Sequence, residues 1–261
     1  MTRTYLALLH YDGRDFVGWQ RQSSGRSVQA EFEGVMERLC ERRIACHAAG
    51  RTDAGVHALG MGVSFAAPPK WTADTLRRAL NALLPRDCWV ETVMPMKPGF
   101  HARKSAAGRR YRYDVGTDAA AFSPFRHPYE WALGRPLELV AMRQATSAIL
   151  GQHSFAAFAA RSAPKPHYRC TVVTAHWEPR DGDRGLRFHV AADRFLHHMV
   201  RFLVGTLVDI GLGRRPVDDM TSLLAREDNQ GTSPPAPPQG LYFEAAEYAE
   251  EWYLTPLEVP T

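Results

Sequence analysis

Apolar and polar positions alternate from Thr4 to Tyr11, the period of a half-buried strand. The period then lengthens: Val28, Phe32, Val35, Met36 and Leu39 recur at helical spacing behind Ser27, a residue type that caps helix N-termini. A strand near Ile44–Ala49, a Gly-framed turn, a strand near Met61–Ala66, a helix carrying Leu76, Leu80 and Leu83 and a strand near Cys88–Val93 complete the order βαββαβ. The second half repeats that order. A strand at Arg110–Val115 precedes a helix around Leu139–Leu150, strands near Cys170–Trp177 and Leu186–Ala191, a helical stretch from Phe195 to Ile210 and a last strand at Leu241–Ala246. Two copies of a split βαβ unit predict an α+β protein of two ferredoxin-like halves with a cleft between sheets. The expected division is 1–104 and 105–261. The second copy carries extra length: 116–136, 157–168 and the Pro-rich Gly231–Gly240 read as surface loops, and a short helix places Met220, Leu223 and Leu224 on one face.

At 261 residues and 45% apolar composition, the chain can bury a sizeable core. No apolar run approaches the roughly 18 residues that span a bilayer, and the segment from Met1 to Tyr5 enters a strand pattern rather than a signal-peptide apolar region; the expectation is a cytoplasmic protein. Cys40, Cys46, Cys88 and Cys170 form neither a C-x-x-C pair nor a Cys/His ligand set, so they read as reduced, buried thiols. Of 32 basic residues only four are lysines, in a chain of net charge +4. Arginine suits phosphate forks and stacking on bases, although coding bias explains the same ratio.

The densest chemical signal is Gly50-Arg51-Thr52-Asp53-Ala54-Gly55-Val56-His57. It sets a short carboxylate on a turn between two apolar strands, with Arg51 two residues away. Glycines on either side permit positive φ and close approach of a bulky ligand. Read alone, Asp53 could simply cap a turn through backbone amides.

Around that string lie five further blocks: Tyr11-Asp12-Gly13 with Gly18-Trp19-Gln20-Arg21-Gln22; Ser27-Val28-Gln29; Phe100-His101-Ala102-Arg103 with Arg109-Arg110-Tyr111-Arg112-Tyr113; Phe195 to Arg201; and Gly240-Leu241-Tyr242. Together they resemble the TruA family of tRNA pseudouridine synthases, along the full length of the chain. Two departures stand out: Met61 where the family often has Gln, and His167-Tyr168-Arg169 in place of a Thr-x-Arg segment.

The resemblance implies a pseudouridine-synthase fold with a central RNA-binding cleft, and isomerisation of uridine at positions 38, 39 and 40 of the tRNA anticodon stem-loop. It implies a homodimer in which one tRNA spans both subunits. No cofactor and no metal are implied, because the chemistry breaks N1–C1′, turns the uracil, bonds C5 to C1′ and removes the C5 proton. By resemblance Asp53 attacks C1′ or takes a 2′ proton, and Arg201 is its partner cation. Tyr111 stacks on the target uracil or accepts the C5 proton, and Leu241 offers the base an apolar surface. Arg51 fills the space left by the flipped base or clamps a flanking phosphate. His197 and His198, being adjacent, are expected to point apart, one into the core and one, taken as His198, toward RNA. Arg14, Arg21, Arg103, Arg109 and Arg112 are further candidates for tracking the RNA backbone.

Two other classes fit parts of the pattern. A non-catalytic RNA-binding module with RRM-like sheets would show stacking aromatics on a central strand and no role for Asp53. A metal-dependent nuclease would need several carboxylates or histidines converging on an ion.

Overall fold

The computed structural model describes residues 2–160 and 167–254. The chain is mixed α and β, and clusters into two compact units, Met1–Gly108 with Phe243–Thr261, and Arg109–Tyr242. The division therefore falls four residues beyond the expected 104/105, and the segment from Phe243 onward counts with the first unit. The cause is strand pairing: the last strand, Leu241–Tyr248, lies beside the strand His57–Ala67.

In the first unit β1 (Arg3–Tyr11) leads to α1 (Val28–Cys40), β2 (His47–Ala48) and β3 (His57–Ala67), then α2 (Ala73–Leu83) and β4 (Cys88–Met96). β1 is central, antiparallel to β3 on one side and to β4 on the other. β3 and β4 are therefore parallel, joined through α2 as a split βαβ unit. Ser27 caps α1 by accepting the amide of Ala30 at 3.3 Å. Thr72 and Thr75 close a reciprocal capping box on α2, satisfying amide donors that a helix start otherwise leaves open. The helices bury Val28, Phe32, Val35, Met36, Leu76 and Leu80 against the sheet residues Tyr5, Leu9, Val63 and Phe65. The expected strand at Ile44–Ala49 shrinks to two residues, though Ile44, Cys46 and Ala49 are buried.

The second unit opens with β5 (Ala106–Gly116), whose residues from Arg109 onward belong to it. Then come β6 (Trp131–Ala132), α3 (Leu139–Ser147), β7 (Gly151–Ser154), β8 (Arg169–Pro179), β9 (Gly185–Ala192), α4 (Met199–Gly211) and α5 (Asp219–Leu224), and β10 (Leu241–Tyr248) starts here. The order is β5-β9-β8-β7, antiparallel throughout, with β6 parallel to the end of β5. Tyr111, Tyr113, Phe188, Val190 and Trp177 point to the helix-covered face, where α3 and α4 bury Met142, Leu203 and Leu207. α4 is apolar on nearly every side, as an enclosed helix must be.

Three expectations change here. α3 stops at Ser147 because Gly151, at φ +89, turns the chain into a strand that periodicity did not reveal. α4 begins at Met199, not Phe195, because His198 is left-handed at φ 61. The loop 116–136 is not simply surface. Glu130 is 1% exposed, held by Arg126 and Arg180, and Arg126 also reaches Asp118 at 2.7 Å. Half of the expected loop 157–168, residues 161–166, lies outside the described residues. All four cysteines are buried, as expected, and burial pushes the Cys88 thiol up to about 12. Among the described residues no helix is long and apolar enough to cross a membrane.

Candidate active site

The Asp53 loop is fixed at its backbone. The Val56 amide donates to the Asp53 carbonyl at 3.2 Å, closing a reverse turn with Gly55 at φ +78 in its third position, a conformation that favours glycine. Thr52 is buried; its carbonyl accepts from the Trp19 amide at 3.1 Å and its hydroxyl meets Tyr11 Oη at 2.7 Å. His57, 2% exposed, accepts the Gly13 amide at Nδ1, 3.1 Å, which leaves its proton on Nε2. Asp53 itself is half-buried and Arg51 exposed.

The block from Tyr11 to Trp19 is therefore a shelf for the turn. A Cβ on Gly18, which sits at φ +106, would lie 2.5 Å from the Thr52 carbonyl oxygen, and one on Gly13 would lie 2.1 Å from that of Val56. Sequence reasoning used these residues only as part of a resemblance and missed this role; the two glycines facing a second glycine-framed turn were the available signal. Gln29 extends the support, accepting from Gln20 and from the Arg21 amide and donating to Glu33.

Beside the loop runs a groove of about 510 Å³ in the first unit, lined by Gly50, Arg51, Trp19, His47, His101, Arg103 and Lys104 among others. His47 and His101 stack at 4.4 Å. His101 Nδ1 accepts the Arg103 amide at 3.2 Å, and burial, then the charges of His47 and Lys104, hold its pKa below the ordinary 6.5. At neutral pH the groove thus presents arginine and lysine cations beside an uncharged His101. Because the folded pKa is depressed, the His101 contribution to stability is complete above about pH 6.5 and declines as pH falls toward the folded midpoint. An NMR titration of the His101 Cε1 proton is expected to give a midpoint below that of unfolded peptide; a midpoint at or above it contradicts this environment.

In the second unit, Tyr111 is 8% exposed and packs edge-on against Phe195 at 5.0 Å. That contact joins β5 to the turn leading into α4, which carries His197 and His198. Those two histidines do not point apart: their rings lie 4.0 Å centre to centre. His197 is exposed and His198 half-buried, so neither is a core residue. The left-handed His198 backbone breaks the helical or extended geometry on which the expectation rested.

Arg201 holds the Pro-rich segment. Its Nε donates to the Ala236 carbonyl at 2.7 Å, the Ala236 amide returns to the Arg201 carbonyl at 2.9 Å, and Tyr113 Oη donates to the Pro237 carbonyl at 2.6 Å. This clamp delivers Leu241, 6% exposed, at the start of β10. Arg112 sits on the sheet face opposite Tyr111, 4.4 Å over the Tyr242 ring, so those two candidates are not brought together. Arg14 is engaged by Asp12, Arg21 by Glu33, and Arg109 by the Asp193 carbonyl.

Comparison with known proteins settles the class. A family model described as tRNA pseudouridine synthase matches residues 7–103 and 145–249. The chain belongs to the tRNA pseudouridine synthase family. Relatives named tRNA pseudouridine synthase A include one from Myxococcus xanthus, 39% identical, covering 93% of this chain and 91% of that protein. Another from Chloroflexus aurantiacus is 41% identical over 94% and 89%, and one from Thermus thermophilus is 40% identical over 95% and 98%. Membership in the tRNA pseudouridine synthase family makes the chain an isomerase, and the matched segments contain the Asp53 loop, the Arg201 helix and Leu241.

Proposed function

We propose that this chain isomerises uridine to pseudouridine at positions 38, 39 and 40 of the tRNA anticodon stem-loop, with Asp53 as the reacting carboxylate. The observation that carries the reading is the Asp53 turn, whose backbone is bonded on several sides and which carries a half-buried carboxylate at its first position. A rigid loop holding an acid is what attack on a ribose demands, since rate depends on holding reacting atoms in register. Asp53 either bonds C1′ as N1 departs or removes the 2′ proton. In both routes the N1–C1′ bond breaks, C5 bonds to C1′, the C5 proton leaves and N1 gains one, so substrate and product are isomers. Arg201 is the partner cation of Asp53, and Leu241 packs against the base. Arg51 and His198 contact the RNA around the flipped nucleotide, which costs a few kcal/mol to extrude. The basic groove of Arg51, Arg103 and Lys104 favours a polyanion, because phosphate neutralisation supplies most of the affinity.

Incubating unmodified tRNA transcript with the chain in EDTA, then mapping pseudouridine, tests the reading. Modification confined to the anticodon arm is expected. Bound but unmodified tRNA would favour the RNA-binding module, and strand cleavage that appears only when Mg²⁺ replaces the EDTA would favour a nuclease. A homodimer at the cytoplasmic address completes the proposal; light scattering should give twice 29.2 kDa.

Tyr111 is assigned the C5 proton. Tyr111→Phe is then expected to bind tRNA normally and turn over slowly, while Tyr111→Leu also loses about 1–3 kcal/mol of base stacking. Wild-type turnover in both variants would return Tyr111 to the core.

A further inference from the structure

On the second unit's sheet, the face turned away from the helices carries a set of metal-type donors that the isomerisation does not use. β8 and β9 pair in a register that sets His176 directly against His189, with ring centres 5.0 Å apart and planes 16° from parallel. Glu178, two residues beyond His176 and so on the same face, brings Oε1 to 3.1 Å from His189 Nε2. One ligand atom from each of the three lies within 4.8 Å of the other two. His176 and Glu178 are exposed and His189 is half-buried, so the donors are accessible.

The backbone beneath this cluster is rigid. Trp177 and Phe188, the intervening residues on the two strands, are buried with rings 4.9 Å apart, and Trp177 Nε1 donates to Thr146 Oγ1 at 3.1 Å. The Cα positions of the donors are thereby set, and side-chain rotation alone must bring the atoms from their present spacing to the roughly 3.4 Å between neighbouring ligands of a tetrahedral ion with 2.0–2.1 Å bonds.

Neighbouring charges decide which ion fits. Arg112 stands opposite His189 on β5 and Arg187 opposite Glu178 on β9. Arg187 is bound by both oxygens of Asp114, at 2.7 and 2.9 Å, and Arg112 lies over Tyr242. One carboxylate flanked by two guanidiniums is a poor host for Mg²⁺ or Ca²⁺, which want several oxygens. Two imidazoles select ions that bond well to nitrogen.

We propose that His176, Glu178 and His189 bind a divalent, imidazole-seeking metal ion, Zn²⁺ foremost, which ties β8 to β9 and keeps its remaining positions open to solvent. The ion lies outside the proposed chemistry and acts on the stability of this unit.

The test is calorimetric titration of the full chain with Zn²⁺, alongside thermal melts with and without Zn²⁺. Wild type is expected to hold one Zn²⁺ that His176→Ala and His189→Ala each weaken at least tenfold and Glu178→Gln weakens less. The melting shift with Zn²⁺ should be present in wild type and absent in His176→Ala. If His176→Ala fails to match wild type by circular dichroism, His176→Gln replaces it. Equal Zn²⁺ stoichiometry and affinity in wild type and both histidine variants overturns the site, as does a wild type that binds no Zn²⁺. Tritium release from C5-labelled tRNA should be unchanged in His176→Ala, so failure of the metal site and failure of the functional reading register separately.

Discussion

Asp53→Asn is expected to abolish turnover, by on the order of 10³-fold or more, because removing a reacting group costs the covalent or proton-transfer step itself. Binding should survive. Affinity for tRNA rests mainly on phosphate contacts spread over the basic surface, which the substitution leaves untouched. Stability should survive as well. The bonds that hold the turn run through the Asp53 carbonyl, the Thr52 carbonyl and the Thr52 hydroxyl, none of which the amide replaces. Circular dichroism and a cooperative urea transition should show the fold retained. Turnover near the wild-type rate would remove Asp53 from the chemistry.

Gly18→Ala should do the reverse, damaging the protein before the reaction. The new methyl would meet the Thr52 carbonyl oxygen at 2.5 Å and the Asp53 carbonyl carbon at 3.1 Å, from a backbone at φ +106 that side chains rarely adopt. Backbone strain of about 1–3 kcal/mol and a comparable steric term should add to about 3 kcal/mol or more of destabilisation, read from urea unfolding. If relaxation instead preserves the fold by moving the turn, turnover should drop while stability holds. A variant with both stability and turnover intact would show that the shelf does not position Asp53.

Much of this was legible in the chain. Alternation and helical spacing placed β1, α1, α2, β4 and the core positions Phe32, Leu76 and Leu80, because those elements each bury one face in one unit. The pattern failed where context overrides period. Ile44–Ala49 reads as a strand but forms only two ladder residues. The Phe195–Ile210 run looks like one helix, yet a single left-handed residue, His198, cuts off its first turn and folds His197 and His198 together. Nothing in an i,i+1 pair of histidines signals that. Likewise Glu130 sits in a segment that read as a surface loop, and its burial rests on Arg126 and on the distant Arg180. For the site, the Asp53 string announced a carboxylate on a Gly-framed turn, whereas the shelf beneath that turn required knowing that Gly13 and Gly18 press on it. Arg201 was read as a cation facing a partner; its bond to the Ala236 carbonyl could not be anticipated, since a backbone acceptor has no sequence signature.

The central claim is an isomerisation of a tRNA uridine that Asp53 starts at the ribose and that ends with loss of the C5 proton. The direct measurement is tritium release from tRNA transcribed with uridine labelled at C5, in EDTA. The account predicts one tritium released to water for each pseudouridine formed in the anticodon arm by wild type, and none by Asp53→Asn despite retained tRNA binding. Retained tritium with wild type, or equal release by both proteins, would contradict it.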